Sequence, residues 1–301
     1  MLHFRLRRAF IWFLLKAVTA GAALAFFLAA RMPHPLRACV YGAFRELARY
    51  QALISTREML SLKGEHFEVR YCPADEPYAR LVLETAERFY GPVSEFFSFT
   101  PPGPVPVIIH PTRSSLNAAF GWPDGENAVG VYWAGVIRVL SPREWVDSRD
   151  EGEVRERFVE SGPVAHELAH LAVDYMSRGN VPRWLNEGIA QYVDYRLTGF
   201  RFAQGEPSRP PYGLEEMDRN FDLLEDQVLA YRQSLAAVEY LVEVYGEESL
   251  HKILAALGRG EDIDTALRHA VGESLEEFSQ NVAAYCAAGF WRQELRARAE
   301  N

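Results

Sequence analysis

The sequence predicts an α+β protein: a small mixed or antiparallel sheet, then a mainly helical half, preceded by one apolar N-terminal transmembrane helix. Three observations carry this. Residues 9–30 form an apolar run interrupted by a single charge, Lys16. Between residues 67 and 140, short segments rich in β-branched and aromatic residues are separated by Gly and Pro. From residue 164 onward the apolar spacing is helical, with breaks at Gly246, Gly258, Gly260 and Gly272.

Length and composition set the frame. The 301 residues suffice for one sizeable domain plus extras, and 49% apolar with 24% charged residues is ordinary for a globular protein. The net charge of −9 is unevenly placed. Residues 1–31 carry Arg5, Arg7, Arg8, Lys16 and Arg31 and no acid, which is +5 and leaves −14 for the remainder. So acidic a remainder argues against a nucleic-acid partner, which needs a basic face. Cys39, Cys72 and Cys286 are too few and too scattered for a disulfide framework or a Cys-type zinc site, and read as unpaired small apolar residues.

In chain order, residues 9–30 are long enough to span a bilayer core, and Lys16 lies near the basic end, from where it can snorkel. The basic cluster ahead of the span puts the N-terminus in the cytoplasm and the rest of the chain in the periplasm or outside the cell. A cleaved signal peptide is the alternative, with Ala23-Leu24-Ala25 as its small-residue site. The length of the apolar run favours an uncleaved anchor.

Residues 36–62 read as one amphipathic helix, closed by Lys63-Gly64, that serves as a stalk or packs on the following domain. Phe67–Tyr71 alternates as a strand, residues 77–97 follow as a helix, and Val105–His110 is a short apolar strand after a proline-rich loop. His110 reads as an edge or core histidine. Residues 129–140 form two strands around Trp133-Ala134-Gly135, a hairpin with glycine in its turn. The charged stretch 146–157 reads as a solvated loop and helix face. The domains expected are thus 1–31 (basic N-terminus and anchor), 32–63 (helical stalk or linker), 64–292 (main domain) and 293–301 (tail).

The chemistry lies in residues 164–192. His166-Glu167-Leu168-Ala169-His170 places two imidazoles one above the other on a helix face, so both can reach one metal ion at about 2.0–2.1 Å. Glu167 leaves the helix at another angle and reaches metal-activated water rather than the metal. Ser161-Gly162-Pro163 has the look of a helix start, with Ser161 as the capping side chain. Apolar residues surround the helix nearly completely, so its polar groups need partners. Gly179-Asn180 ends it, and Pro182 can open a second helix packed against the first. Glu187, about one turn into that helix, can face His166 and His170. Three protein donors form the open pattern of a catalytic zinc site rather than the closed four-ligand structural one.

His166–His170 followed by Trp184-Leu185-Asn186-Glu187-Gly188-Ile189-Ala190 resembles the gluzincin metallopeptidases, most closely their compact peptidase-MA-like bacterial members. The resemblance implies a thermolysin-like zinc peptidase catalytic domain over residues 64–292. It implies one Zn2+ on His166, His170 and Glu187, with Glu167 as general base. Many gluzincins carry an acidic residue four positions after the glutamate ligand; here that position is Gln191, with Asp174 as a candidate substitute. In gluzincins a strand near the zinc helix forms the cleft wall and pairs with extended substrate, and residues 136–139 or 128–131 are the candidates. Ala230-Tyr231-Arg232-Gln233-Ser234 resembles a further feature of the group and makes Tyr231 the candidate oxyanion donor, with Tyr212 second.

The function expected is therefore a membrane-anchored zinc metallopeptidase acting on a peptide or protein substrate. The absence of a clear acidic cluster for a substrate amino terminus leans towards endopeptidase action. The alternative is a membrane-tethered, non-catalytic zinc-containing module that binds peptides.

Overall fold

The computed structural model describes residues 34–148, 150–202 and 209–290. The expected membrane span at residues 9–30 and the tail at 293–301 lie outside the described residues. Among the described residues no helix is long and apolar enough to cross a membrane.

The architecture is α+β, as expected. Five strands form one mixed sheet in the order β1-β2-β3-β5-β4. They are β1 (Leu60–Lys63), β2 (Phe67–Tyr71), β3 (Val105–His110), β4 (Gly130–Trp133) and β5 (Val136–Leu140). β1 and β2 run antiparallel, β2–β3 and β3–β5 run parallel, and β4 closes on β5 as an antiparallel hairpin. Ala134 (φ 46°) and Gly135 (φ 82°) both take the left-handed conformation in its two-residue turn, which matches the twist of the flanking strands. β4 is an edge strand and β5 an internal one. Of the two candidate cleft-wall segments, only the one that runs into β4 lies at an edge of the sheet.

Alternation along the strands gives the sheet two faces. Phe67, Val69, Val107, Ile109, Ile137 and Val139 point into the main core. Ile108 and Val136 point the other way and meet Ala52 of helix α1 (His34–Ser55). Helix α2 (Glu76–Phe97) makes the crossover from β2 to β3, and α3 (Arg113–Phe120) follows β3. Then come α4 (Glu151–Ser161), α5 (Val164–Ser177), α6 (Arg183–Thr198), α7 (Leu214–Asn220), α8 (Gln227–Tyr245), α9 (Glu248–Arg259), α10 (Ile263–Val271) and α11 (Leu275–Tyr285).

Two boundaries differ from the sequence reading. The helix expected to reach residue 62 stops at Ser55. The hydroxyls of Ser55 and Thr56 both donate to the carbonyl of Ala52 at 2.8 Å, competing with the helix for that acceptor, and Leu60–Lys63 then pairs with β2. Ser161 does not cap the zinc-motif helix. It ends α4, donating to the Arg157 carbonyl at 2.9 Å, and α5 starts at Val164 with Pro163 at its N-cap and no side-chain cap. Helix α1 packs on the domain through Phe44, Ala48 and Ala52.

α5 lies at the centre. It is buried nearly all round and touches α2, α6, α9 and β4. Its C-terminal turn uses Arg178 (φ 55°) and Gly179 (φ 72°), and a Cβ on Gly179 would stand 2.5 Å from the Tyr41 ring. α6 in turn packs most extensively on α8, where Gly188 lets the two backbones approach closely.

Candidate metal centre

The short turn at residues 178–182 folds α6 back along α5 and aims Glu187 at the two histidines. Glu187 Oε2 stands 3.4 Å from His166 Nε2 and 3.6 Å from His170 Nε2. The imidazoles meet edge to face with centroids 4.6 Å apart. Donor atoms of the three residues all lie within 4.8 Å of one another, the only such cluster of three or more among the described residues. Two imidazole nitrogens and one carboxylate oxygen are a set that zinc accepts, and three ligands leave a position open. The sequence-predicted donors are thus brought together.

The neighbours fix how each donor is presented. His170 Nδ1 lies 3.0 Å from Asn186 Oδ1, so the ring proton sits on Nδ1 and the Nε2 lone pair is free for a metal. Glu187 Oε1 is taken by Arg183 at 2.8 Å, which leaves Oε2 for the histidine side. Burial opposes a charge on Glu187, but His170, His166 and Arg183 outweigh it and hold the group an anion, near 2. Burial lowers His170 and keeps it neutral. His166 is raised: burial works against its charge, but the hydrogen bond to Glu187 and the charges of Glu167, Glu187 and Asp194 prevail.

Glu167 is 5% exposed and faces β4, not the cluster of donors. Its Oε2 accepts the backbone N–H of Tyr132 at 2.6 Å. Burial, reinforced by the charge of Glu187, raises it to about 7 against the pull of His166, the Tyr132 N–H and Arg183. A carboxyl balanced near neutrality is suited to exchanging protons.

Other expectations resolve differently. Gln191 does not back a ligand. Its amide donates to the carbonyls of Glu187 (3.2 Å) and Tyr231 (2.8 Å), tying α6 to α8. Besides Glu187, the carboxylate on α6 whose charge acts on His166 is Asp194, one turn beyond Gln191. Asp174 does not take the place of an acid at position 191; it is buried and bonded to Tyr41, Arg45 and Tyr132. Tyr231 sits between Phe202 and Phe221, with ring centroids 5.3 Å away on each side. Burial and then the charge of Glu187 push its hydroxyl well up, so it remains a proton-bearing donor beside the cluster. Tyr212 is committed elsewhere: its hydroxyl accepts from the Asp226 N–H at 2.9 Å and from Arg209 at 3.0 Å. His110 is buried beside Arg138, 3.1 Å from it, and is a core histidine. No disulfide forms among the described residues: Cys39 is exposed, Cys72 half-buried and Cys286 buried.

Sequence reasoning missed Asn186, Arg183, Asp194 and Tyr132. The first two had a readable signal, since Asn186 adjoins Glu187 and Arg183 precedes it by one helical turn. Tyr132 had none, because its role is played by a backbone N–H.

No curated protein matches the chain. Residues 157–288 match the family model described as the peptidase MA superfamily, and the stretch contains the three donors, Glu167 and Tyr231. Such a domain is zinc-metallopeptidase-like, which agrees with the donor set. Over residues 157–288, a little under half of its length, the chain is thus similar to the peptidase MA superfamily.

Proposed function

We propose that the protein is a membrane-anchored zinc metallopeptidase that hydrolyses peptide bonds outside the cytoplasm. The observation that carries this is the convergence of His166 Nε2, His170 Nε2 and Glu187 Oε2 beside a buried carboxyl, Glu167, that is not one of the donors. These three residues would hold Zn2+, whose Lewis acidity acidifies water and polarises a carbonyl.

The chain's own groups supply the remainder. Glu167 Oε2 is engaged by the Tyr132 N–H, so Oε1 is the oxygen that takes the proton of the attacking water and passes it to the leaving amine. The protonated hydroxyl of Tyr231 donates to the oxyanion that develops on the attacked carbonyl. The edge strand β4, whose Tyr132 N–H is taken by Glu167, pairs with an extended peptide through its other outward backbone groups, a mode that needs no particular side-chain sequence and fits endopeptidase action. Phe202, Phe221 and Tyr231 form an aromatic wall next to the donors. The apolar run at residues 9–30 with its basic flank supports an anchor with a cytoplasmic N-terminus.

The test is zinc content together with cleavage of casein by the full chain in detergent. The wild type contains one zinc and cleaves. His166→Ala loses zinc, while Glu167→Gln keeps zinc and loses cleavage. Equal zinc in wild type and His166→Ala overturns the metal site, and turnover by Glu167→Gln overturns the role of the base. Zinc without cleavage in the folded wild type supports instead a non-catalytic peptide-binding module.

A further inference from the structure

Tyr132 touches the zinc-motif helix twice. Its backbone N–H donates to Glu167 Oε2 at 2.6 Å, and its hydroxyl donates to Asp174 Oδ2 at 2.6 Å. Glu167 and Asp174 are seven residues apart, two turns along one face of α5. One residue of the edge strand therefore bridges the helix at both points. The hydroxyl also accepts the Gly135 N–H at 2.9 Å, so the hairpin turn is tied to the same oxygen.

The approach of β4 to α5 is close. A Cβ on Gly130 would stand 2.2 Å from Pro163 Cβ and 2.8 Å from Glu167 Oε1. An edge strand is held by ladder hydrogen bonds on one side only, here by β5. The Asp174 contact supplies a second hold, from below.

Asp174 is itself placed by α1. Tyr41 donates to its Oδ1, and Arg45 Nη1 lies 3.2 Å from its Oδ2. Arg45 stacks 3.5 Å from the Tyr175 ring centroid, and the Tyr41 ring fills the space left open by Gly179. A buried carboxylate with three donors is satisfied, and removing one donor leaves an uncompensated group that must move or take up water.

We propose that Asp174 is a positioning residue for catalysis: through Tyr132, and braced by Tyr41 and Arg45 of α1, it holds the edge strand so that the Tyr132 N–H orients Glu167. This rests on the reading of Glu167 as the general base. Helix α1 is then a working part of the site, although it lies outside the stretch that matches the family model.

The test uses the full chain in detergent with 15N-labelled tyrosine. The Tyr132 amide resonance is assigned by its loss in Tyr132→Phe and by its movement in Glu167→Gln. In Asp174→Asn and in Tyr41→Phe/Arg45→Met, that resonance shifts and its hydrogen exchange speeds up about tenfold or more. In these variants and in Tyr132→Phe, kcat falls on the order of tenfold or more, as a small misplacement of a reacting group produces. KM and zinc content stay within about twofold of wild type, since neither depends on how Glu167 is oriented. Tyr132→Phe and Tyr41→Phe keep their rings and so keep the packing. Folded Tyr132→Phe with wild-type kcat, or an unmoved Tyr132 amide in Asp174→Asn, overturns the proposal. If the wild type cleaves nothing, the proposed function fails on its own, and the amide measurement still decides whether α1 braces Glu167.

Discussion

Arg183 Nη1 lies 2.8 Å from Glu187 Oε1, the oxygen turned away from the two histidines. The pair is an i, i+4 contact on α6, and Arg183 is steadied by Asp222 at 3.5 Å and by the Phe221 ring. A buried carboxylate is costly unless its charge and lone pairs are met, and here Arg183 meets one oxygen so that the other can serve a metal.

Replacing Arg183 by Met should therefore loosen the ligand as well as remove a charge. Zinc affinity is expected to fall about 10–100-fold, the usual effect of losing a group that orients a metal ligand. Arg183→Lys should retain part of it, because an ammonium supplies the charge but not the planar fork. Competition with a chromophoric chelator reads both. Wild-type affinity in a folded Arg183→Met protein would show that Glu187 needs no such partner.

What was legible in the sequence is what short-range geometry decides. His166, His170 and Glu187 are linked by one helical period and one tight turn, so their convergence followed from spacing. The hairpin at Trp133–Val136 and the helix stop at Gly179 were readable for the same reason, since backbone conformation there is restricted by the residues themselves. The partners of Asp174 were not. Tyr41, Arg45 and Tyr132 are 133, 129 and 42 residues away in sequence, and no periodicity in α5 points to them. The end of α1 was misread because Leu62 fits a helical stripe, while the decisive contacts are hydroxyl bonds from Ser55 and Thr56 to a single carbonyl. Gln191 illustrates a third case. Its position in the motif suggested support for a ligand, but the rotation of α6 against α8 sends its amide to Tyr231.

The same α6–α8 contact gives a stability prediction. A Cβ on Gly188 would stand 2.2 Å from the Ser234 carbonyl oxygen and 2.8 Å from Val238 Cγ2. The first is backbone and cannot swing aside, so the helices must part. Gly188→Ala should cost about 1–3 kcal/mol or more, as overpacking a tight core does. Gly42→Ala is the control: it lies inside α1, is followed by no proline, and has nothing within 4 Å of a new Cβ. There alanine should stabilise by about 0.4–1 kcal/mol, since it restricts the unfolded chain. Thermal unfolding of the two variants should thus move in opposite directions, and a Gly188→Ala protein as stable as wild type would show that the two helices are not in such close contact.

His110 makes the stability depend on acid. It is 8% exposed at the end of β3, and burial, then the charge of Arg138, lower it from 6.5 to about 4. Its neutral ring can accept from Arg138 Nη1 at 3.1 Å, a bond that protonation would replace with repulsion. Between the folded and unfolded values the unfolded chain binds the extra proton, so stability rises with pH across that window. The contribution is complete above about pH 6.5 and is lost as pH falls towards 4, with an upper size of about 3 kcal/mol. Carboxylates titrate in the same range, so the informative quantity is the difference between wild type and His110→Gln. Urea unfolding from pH 4 to 7 should show a slope of stability against pH that is smaller in the variant by up to one proton. Identical slopes would mean that His110 titrates in the folded protein as it does in the unfolded chain, and that burial beside Arg138 does not hold it neutral.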